Sequence, residues 1–323
     1  MDSRPVSQLP TLPFGLDNLM PIGFGCGPLG VHGFGKVDSE ECRAAVGMAL
    51  DEGVRIFDTS DAYGKGHSEE QLALALGSRR AEAIIATKGS IRFQNDGSVF
   101  YDCSPKWLEQ ALDDSLQRLK TDFVELYQVH YWDQETPLEV MFDHLESEVK
   151  AGKIGSYGVS NIDLSTCETD FFRSFPNLKS HSSEFSMVNQ ASRTQASKVA
   201  EIAGMAFFAT GVIAQGLLSG KYTMPVAFDE NDRRSKSAYV NFSPRMIERT
   251  QPLLSLMRDS GYPAVALAVA WVLRQLPNTM VLVGIKSRKQ LQDVLVARNL
   301  QADVIDWPAI DAAIAELKEE NDE

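Results

Sequence analysis

A (β/α)8 barrel is the fold class that this sequence predicts, and three observations predict it. Short apolar or β-branched runs alternate with longer segments of helical periodicity, the pattern of successive βα units around a parallel sheet. The strand-like runs number eight, at 20–23, 55–59, 83–87, 123–128, 154–159, 180–184, 206–209 and 280–283. No linker or low-complexity stretch divides the 323 residues, so one domain over 1–323 is expected, at a length one such barrel commonly reaches. An open doubly wound sheet is the competing arrangement.

The elements follow in order. The opening LPTLPFGLDNLMPIGFG is expected to hold a short N-terminal hairpin covering the bottom of the barrel. Asp38, three residues before Glu41, reads as the start of the first crossover helix, and Ser68, three before Gln71, as the start of the second. Ser104-Pro105 and Thr136-Pro137 each offer a cap followed by proline at the first helical position. In the helix after Ser104, Trp107, Leu108, Ala111, Leu112, Leu116 and Leu119 share one face; after Thr136, Leu138, Met141, Phe142, Leu145 and Val149 do so. Both faces are expected to pack on the sheet. The long polar stretch at 221–245, KYTMPVAFDENDRRSKSAYVNFSPR, follows the seventh strand and reads as a mobile lid.

Composition narrows the function. No uncharged apolar run reaches the ~18 residues of a membrane span, and nothing in MDSRPVSQLPTLPFG resembles a secretory signal, so a cytoplasmic protein is expected. Cys26, Cys42, Cys103 and Cys167 lie far apart with no CxxC pair, which suits reduced thiols better than a disulfide framework or a zinc site. A net charge of -13 argues against a nucleic-acid partner, because a phosphate-binding surface needs clustered Lys and Arg.

Barrel enzymes carry their chemistry at the C-terminal ends of the strands. Asp58 and Tyr63 follow the second strand, Lys88 the third and His130 the fourth. Taken singly, each has an ordinary structural reading; at three successive strand ends they read as one site. A tyrosine hydroxyl, with a pKa near ~10, is protonated at neutral pH and can donate to a developing alkoxide. A neighbouring lysine favours the phenolate and is expected to lower the tyrosine pKa, while Asp58 keeps that lysine charged. His130 can hydrogen-bond the substrate oxygen. The set suits interconversion of a carbonyl and an alcohol, with a small molecule as the expected partner.

The stretch FDTSDAYGKGHSEEQLALALG resembles the signature of the aldo-keto reductases. Further matches follow in family order: IIATKG, SLQRLKTDFVELYQVH, GKIGSYGVSN, QGLLSGKY and VLVGIKSRKQLQDVL. The resemblance implies a barrel that binds a nicotinamide cofactor without a Rossmann domain and transfers hydride to an aldehyde or ketone. It identifies Asp58, Tyr63, Lys88 and His130 with the family's catalytic tetrad, Tyr63 being the proton donor. Carried over one position at a time, Ser160 and Asn161 match the pair that holds the nicotinamide carboxamide. Gly25, Cys26 and Gly27 match a small-residue turn beside the cofactor, where Asp58 also lies. Gln215, Gly216, Leu217 and Ser219 match the loop along the pyrophosphate, and Lys286 and Ser287 open the last βα loop at a phosphate.

The chain also departs from that pattern. Ser182 stands where the family usually has a glutamine near the nicotinamide. Thr210 and Gly211 replace an aromatic residue and serine, so the aromatic stack on the nicotinamide must come from elsewhere or be absent. Gln290 and Val294 replace an arginine and asparagine near the adenosine, with Asp293 retained. Lys286 favours NADP(H); the missing arginine leaves NAD(H) open. Phe57, Phe93, Tyr131, Trp132 and the 221–245 loop are candidates for the substrate pocket. An NAD-dependent sugar or alcohol dehydrogenase and a non-catalytic cofactor-binding regulatory subunit are the alternatives.

Overall fold

The structure, a computed structural model, describes residues 19–236, 240–276 and 278–319. In chain order the elements are β1 (Ile22–Gly25), α1 (Ser39–Asp51), β2 (Ile56–Asp58), α2 (His67–Leu76), β3 (Ile84–Gly89), β4 (Ile91–Phe93), β5 (Val99–Tyr101), α3 (Pro105–Leu119), β6 (Val124–Val129), α4 (Leu138–Lys150) and β7 (Ile154–Ser160). They continue with α5 (Thr169–Ser174), β8 (Leu178–Glu184), α6 (Arg193–Ala203), β9 (Ala206–Thr210), α7 (Pro244–Arg249), α8 (Gln251–Asp259), α9 (Ala264–Gln275), β10 (Thr279–Gly284), α10 (Arg288–Leu295) and α11 (Trp307–Glu319). A closed parallel barrel forms in the order β1-β10-β9-β8-β7-β6-β3-β2, so this is a (β/α)8 fold. Every expected strand is found with its ends slightly displaced; the first runs Ile22–Gly25 in place of 20–23. The hairpin expected ahead of it lies outside the described residues.

Strand alternation divides the apolar side chains into two layers. Ile56, Ala86, Leu126, Ala206, Phe208, Met280 and Leu282 fill the barrel interior. Their neighbours Phe57, Ile85, Tyr127, Phe207 and Val281 belong to the larger core between sheet and helices. Two residues on from the interior set, at the same parity, stand Asp58, Lys88, Thr210 and Gly284. The period that fills the barrel therefore also points these residues to its upper mouth.

The helices largely form as their caps dictate. Asp38 Oδ1 accepts from the backbone N–H groups of Glu40 and Glu41, and Ser104 Oγ accepts from that of Trp107. Leu108, Ala111, Leu112, Leu116 and Leu119 are buried on α3, and Met141, Phe142 and Leu145 on α4. Trp107 is only half-buried, with the Arg92 guanidinium 4.3 Å over its ring. Two expected starts are corrected. α2 begins after Gly66, while Ser68 is buried and donates to the Cys26 carbonyl at 2.7 Å. In α4 Pro137 takes the cap position, and the Thr136 hydroxyl donates instead to Asp133.

An antiparallel pair, β4 and β5, stands beside the mouth and was not expected from the sequence. Its signal is Asp96-Gly97 between the runs IRF and VFY; Gly97 takes φ 84, as a tight hairpin turn demands. The segment after β9 crosses to the turn after β1, where Arg233 N–H donates to the Gly33 carbonyl at 3.1 Å. Arg234 fixes it by gripping Asp232 at 2.9 and 2.6 Å and covering the Phe228 ring at 4.2 Å.

Candidate active site

At the upper mouth, Lys88 of β3 lies beneath a cavity of about 690 Å3. Its Nζ donates to Asp58 Oδ1 at 2.5 Å and to the Thr59 carbonyl at 2.9 Å, with Lys88 1% and Asp58 3% exposed. Burial alone lowers a lysine pKa, but the charge of Asp58 beside it and their hydrogen bond work against this, and Lys88 is held above its usual value. Burial likewise raises Asp58, opposed by Lys88. The close contact makes this a charged pair.

Tyr63 enters from the loop after β2. That loop packs backbone to backbone on the turn after β1: a side chain at Gly30 would meet the Tyr63 carbonyl carbon at 2.7 Å, and Gly64 takes φ 63. Glycine at both positions lets the phenol reach the cavity. Lys88 Nζ sits 5.3 Å from the Tyr63 ring centre. Burial raises the Tyr63 pKa, and the pull of Lys88 in the other direction does not overcome it. The expected net lowering is thus corrected: the phenol is protonated, with Lys88 limiting the rise.

His130 faces Tyr63 edge-on, ring centres 5.9 Å apart at 85°. Tyr131 stacks on its other side at 5.0 Å, and Tyr101 of β5 stacks on Tyr131 at 4.8 Å. Nδ1 meets Ser60 Oγ at 3.1 Å. Burial, aided by the Lys88 charge, pushes the His130 pKa well below its ordinary value, so the imidazole is neutral near pH 7. A neutral acid, a neutral imidazole and a buried cation thus meet at one end of the cavity. Such a set can donate hydrogen bonds to an oxygen gaining negative charge without neutralising itself.

Of the residues nominated from sequence, Tyr63, Lys88, His130, Ser160, Asn161, Thr210, Gly211, Gln215, Gly216, Ser219, Lys286, Gln290 and Asp293 line this one cavity. Asn161 takes φ 57, and its amide donates to Ser160 Oγ at 3.0 Å. Others stand behind the wall. Gly25, Cys26 and Gly27 are buried, with Cys26 N–H bonded to the Asp58 carbonyl, and it is Pro28 that reaches the cavity. Leu217 is core, and Ser287 caps α10 by accepting from Gln290 N–H. Ser182 turns its hydroxyl to the Phe208 carbonyl at 3.0 Å; Glu184, two residues on at the same parity, lines the cavity instead.

Among the aromatic candidates only Tyr131 lines the cavity. Phe57 is core against Phe24, because it has the outward parity. Trp132 donates to the Thr136 carbonyl and packs on the core, and Phe93 lies on β4 under Lys65. Thr210, in the place of the aromatic residue, lines the cavity beside Gly211, which takes φ 62 and where a side chain would meet that of Glu184 at 2.6 Å. The cavity's aromatic walls are Phe34, Tyr63, Tyr131 and Tyr222. The 221–245 loop, a pocket candidate from the sequence, reaches the wall through Lys221, Tyr222, Arg233 and Arg234 beside Lys286, although these cations were not named singly and Glu184 was not named at all. The available signals were strand parity and the pair Arg233-Arg234 within an acidic chain.

The family model described as "Aldo/keto reductase family" matches residues 21–315. Aldo-keto reductase YhdN of Bacillus subtilis is 28% identical over 277 residues, covering 84% of this chain and 82% of its own. Aldo-keto reductase yakc [NADP(+)] of Schizosaccharomyces pombe is 29% identical over 320 residues, covering 97% and 91%. The solved glycerol dehydrogenase AKR11B4 of Gluconobacter oxydans superposes with a TM-score of 0.82 at 27% identity, over 95% of each chain. With the barrel and the mouth of β2, β3 and β6 described, a match over nearly the whole chain leaves one assignment: this chain belongs to the aldo/keto reductase family.

Proposed function

We propose that this oxidoreductase reduces an aldehyde or ketone to an alcohol with NADP(H) as its preferred cofactor. The carrying observation is the buried Lys88–Asp58 pair beneath Tyr63, with neutral His130 across from it. The cavity wall fits a dinucleotide: Ser160 and Asn161 supply an amide and a hydroxyl for the carboxamide, and Gln215, Gly216 and Ser219 continue along the wall. Lys221, Arg233, Arg234 and Lys286 gather there in a chain of net charge -13, which suits phosphates. Burial, then the charge of Arg234, depresses Lys286, a strain that a bound phosphate relieves. The S. pombe relative carries NADP(+) in its name.

A bound reduced nicotinamide supplies the hydride. His130 hydrogen-bonds the carbonyl oxygen and orients it. Tyr63 passes its phenolic proton to that oxygen as negative charge develops, and Lys88 stabilises the phenolate left behind. Asp58 keeps Lys88 protonated through the cycle. Tyr131 and Phe34 form apolar walls that exclude water.

A second reading, oxidation of an alcohol, draws on the glycerol dehydrogenase to which the fold is similar. A fluorescence titration with NADPH and NADH, followed by a panel of aldehydes and polyols, separates the two. Tighter binding of NADPH with aldehyde turnover is expected. Binding of NADH alone contradicts the NADP(H) preference, and cofactor binding with no turnover of any substrate favours a regulatory subunit.

A further inference from the structure

Asp61 has no part in that chemistry, yet it lies one hydrogen bond from Ser60, which lies one hydrogen bond from His130. Ser60 Oγ accepts from the Ala62 N–H at 3.1 Å and contacts Asp61 Oδ1 at 3.0 Å and His130 Nδ1 at 3.1 Å. A hydroxyl has one hydrogen and two lone pairs. With one lone pair taken by Ala62, the hydrogen and the other lone pair are divided between Asp61 and His130. An ionised Asp61 can only accept, so it takes the hydrogen. Ser60 then presents its lone pair to Nδ1–H, and Nε2 of the neutral ring is bare. A protonated Asp61 donates to Ser60, which donates to Nδ1, and the ring proton sits on Nε2.

We infer that Asp61, acting through Ser60, sets which ring nitrogen of His130 carries the proton, and so whether Nε2 offers the substrate oxygen a donor or an acceptor. The inference rests on the reading of His130 as the group that meets that oxygen. A donating Nε2 serves a carbonyl being reduced; an accepting Nε2 serves an alcohol hydroxyl being oxidised. Passing from the first state to the second, the Asp61 proton moves to Ser60, the Ser60 proton to Nδ1, and the Nε2 proton leaves to the cavity. One proton is released and nothing is oxidised. Asp61 is a positioning residue in this scheme.

The surroundings of Asp61 put the exchange near neutrality. Burial first, then the charge of Glu69, pushes its carboxyl up to about 7, against Ser60, Arg118 and the Ala62 N–H, which pull it down. The facing groups come from separate elements: Glu69 from α2, Arg118 from α3 and Tyr127 from β6. From β3, Lys88 accepts the Asp61 N–H through its carbonyl. Glu69 is itself held by Arg118 at 2.6 Å and Thr87 at 2.5 Å. His130 is neutral near pH 7, because burial and the Lys88 charge hold its pKa well below the ordinary histidine value.

The test is nuclear magnetic resonance of the full chain labelled with 15N-histidine, titrated from about pH 5 to about pH 8. Assignment comes from the signal lost in His130→Gln. The expected result is Nε2–H at the acid end and Nδ1–H at the alkaline end, with no such change in Asp61→Ala. The reduction pH profile is expected to lose its near-neutral limb in the same variant. One fixed tautomer in the wild type overturns the inference, even if Asp61→Ala fails to fold, and so does a change that persists in Asp61→Ala. The ring readout needs no turnover, so an inactive protein still answers it. A fixed tautomer in an active reductase sinks this inference alone.

Discussion

Lys88 is the residue on which the site depends twice, once for charge and once for stability. Replacing it with methionine leaves Asp58, 3% exposed, without its partner. Breaking a buried pair in this way costs about 3–5 kcal/mol, so Lys88→Met is expected to lower the unfolding midpoint in urea substantially. Because Lys88 also pulls the Tyr63 pKa down, its loss moves that pKa further up. In the proposed mechanism the protonated phenol is the acid for reduction, so the alkaline fall in reduction rate should shift to higher pH in Lys88→Met; a shift to lower pH contradicts that proposal. Asp58, Lys88 and His130 were legible from sequence because the barrel rule fixes where a strand end points, and Tyr63 because its loop leaves one of those ends. Phe57 and Trp132 were misplaced because parity and loop packing, which no motif encodes, decide which aromatic ring faces the cavity.

Among the elements, β8 carries a pH-sensitive group away from the site. His181 is 1% exposed, its ring 4.9 Å from Phe207, and neither ring nitrogen has a partner among the described residues. Burial, against the weaker pull of Asp163, pushes its pKa down to about 4. The fold accepts only the neutral ring. Its stability is therefore full above the unfolded value of ~6.5 and is lost as pH falls through about 4, a difference of about 3 kcal/mol. Urea unfolding of His181→Phe should show a shallower loss between those limits than the wild type; parallel curves refute this. The loop carrying Tyr63 is held by glycine contacts in the same way. Gly64→Ala, at φ 63 against the Gly30 backbone, is expected to cost about 1–3 kcal/mol and to lower kcat more than cofactor affinity, as read by turnover and titration. The β4–β5 hairpin escaped sequence reading although its Asp-Gly turn was visible, because strands of three residues give too short a period to register.

At the scale of the whole molecule, a chain of net charge -13 gathers Lys221, Arg233, Arg234 and Lys286 on the wall of one cavity. The barrel was legible because eight apolar runs between helical segments admit few closed arrangements. The cation cluster was not, since Arg233 and Arg234 reach the wall only through the path of the segment after β9. Lys286→Met is expected to reduce the preference for NADPH over NADH by about tenfold, close to 1.4 kcal/mol, in paired fluorescence titrations. The most direct test of the central claim, carbonyl reduction with Tyr63 as the acid, is a single-turnover measurement of NADPH oxidation by an accepted aldehyde. With Tyr63→Phe the rate should fall by about 10²–10⁴-fold while NADPH affinity stays close to that of the wild type. Equal single-turnover rates in the two proteins would contradict it.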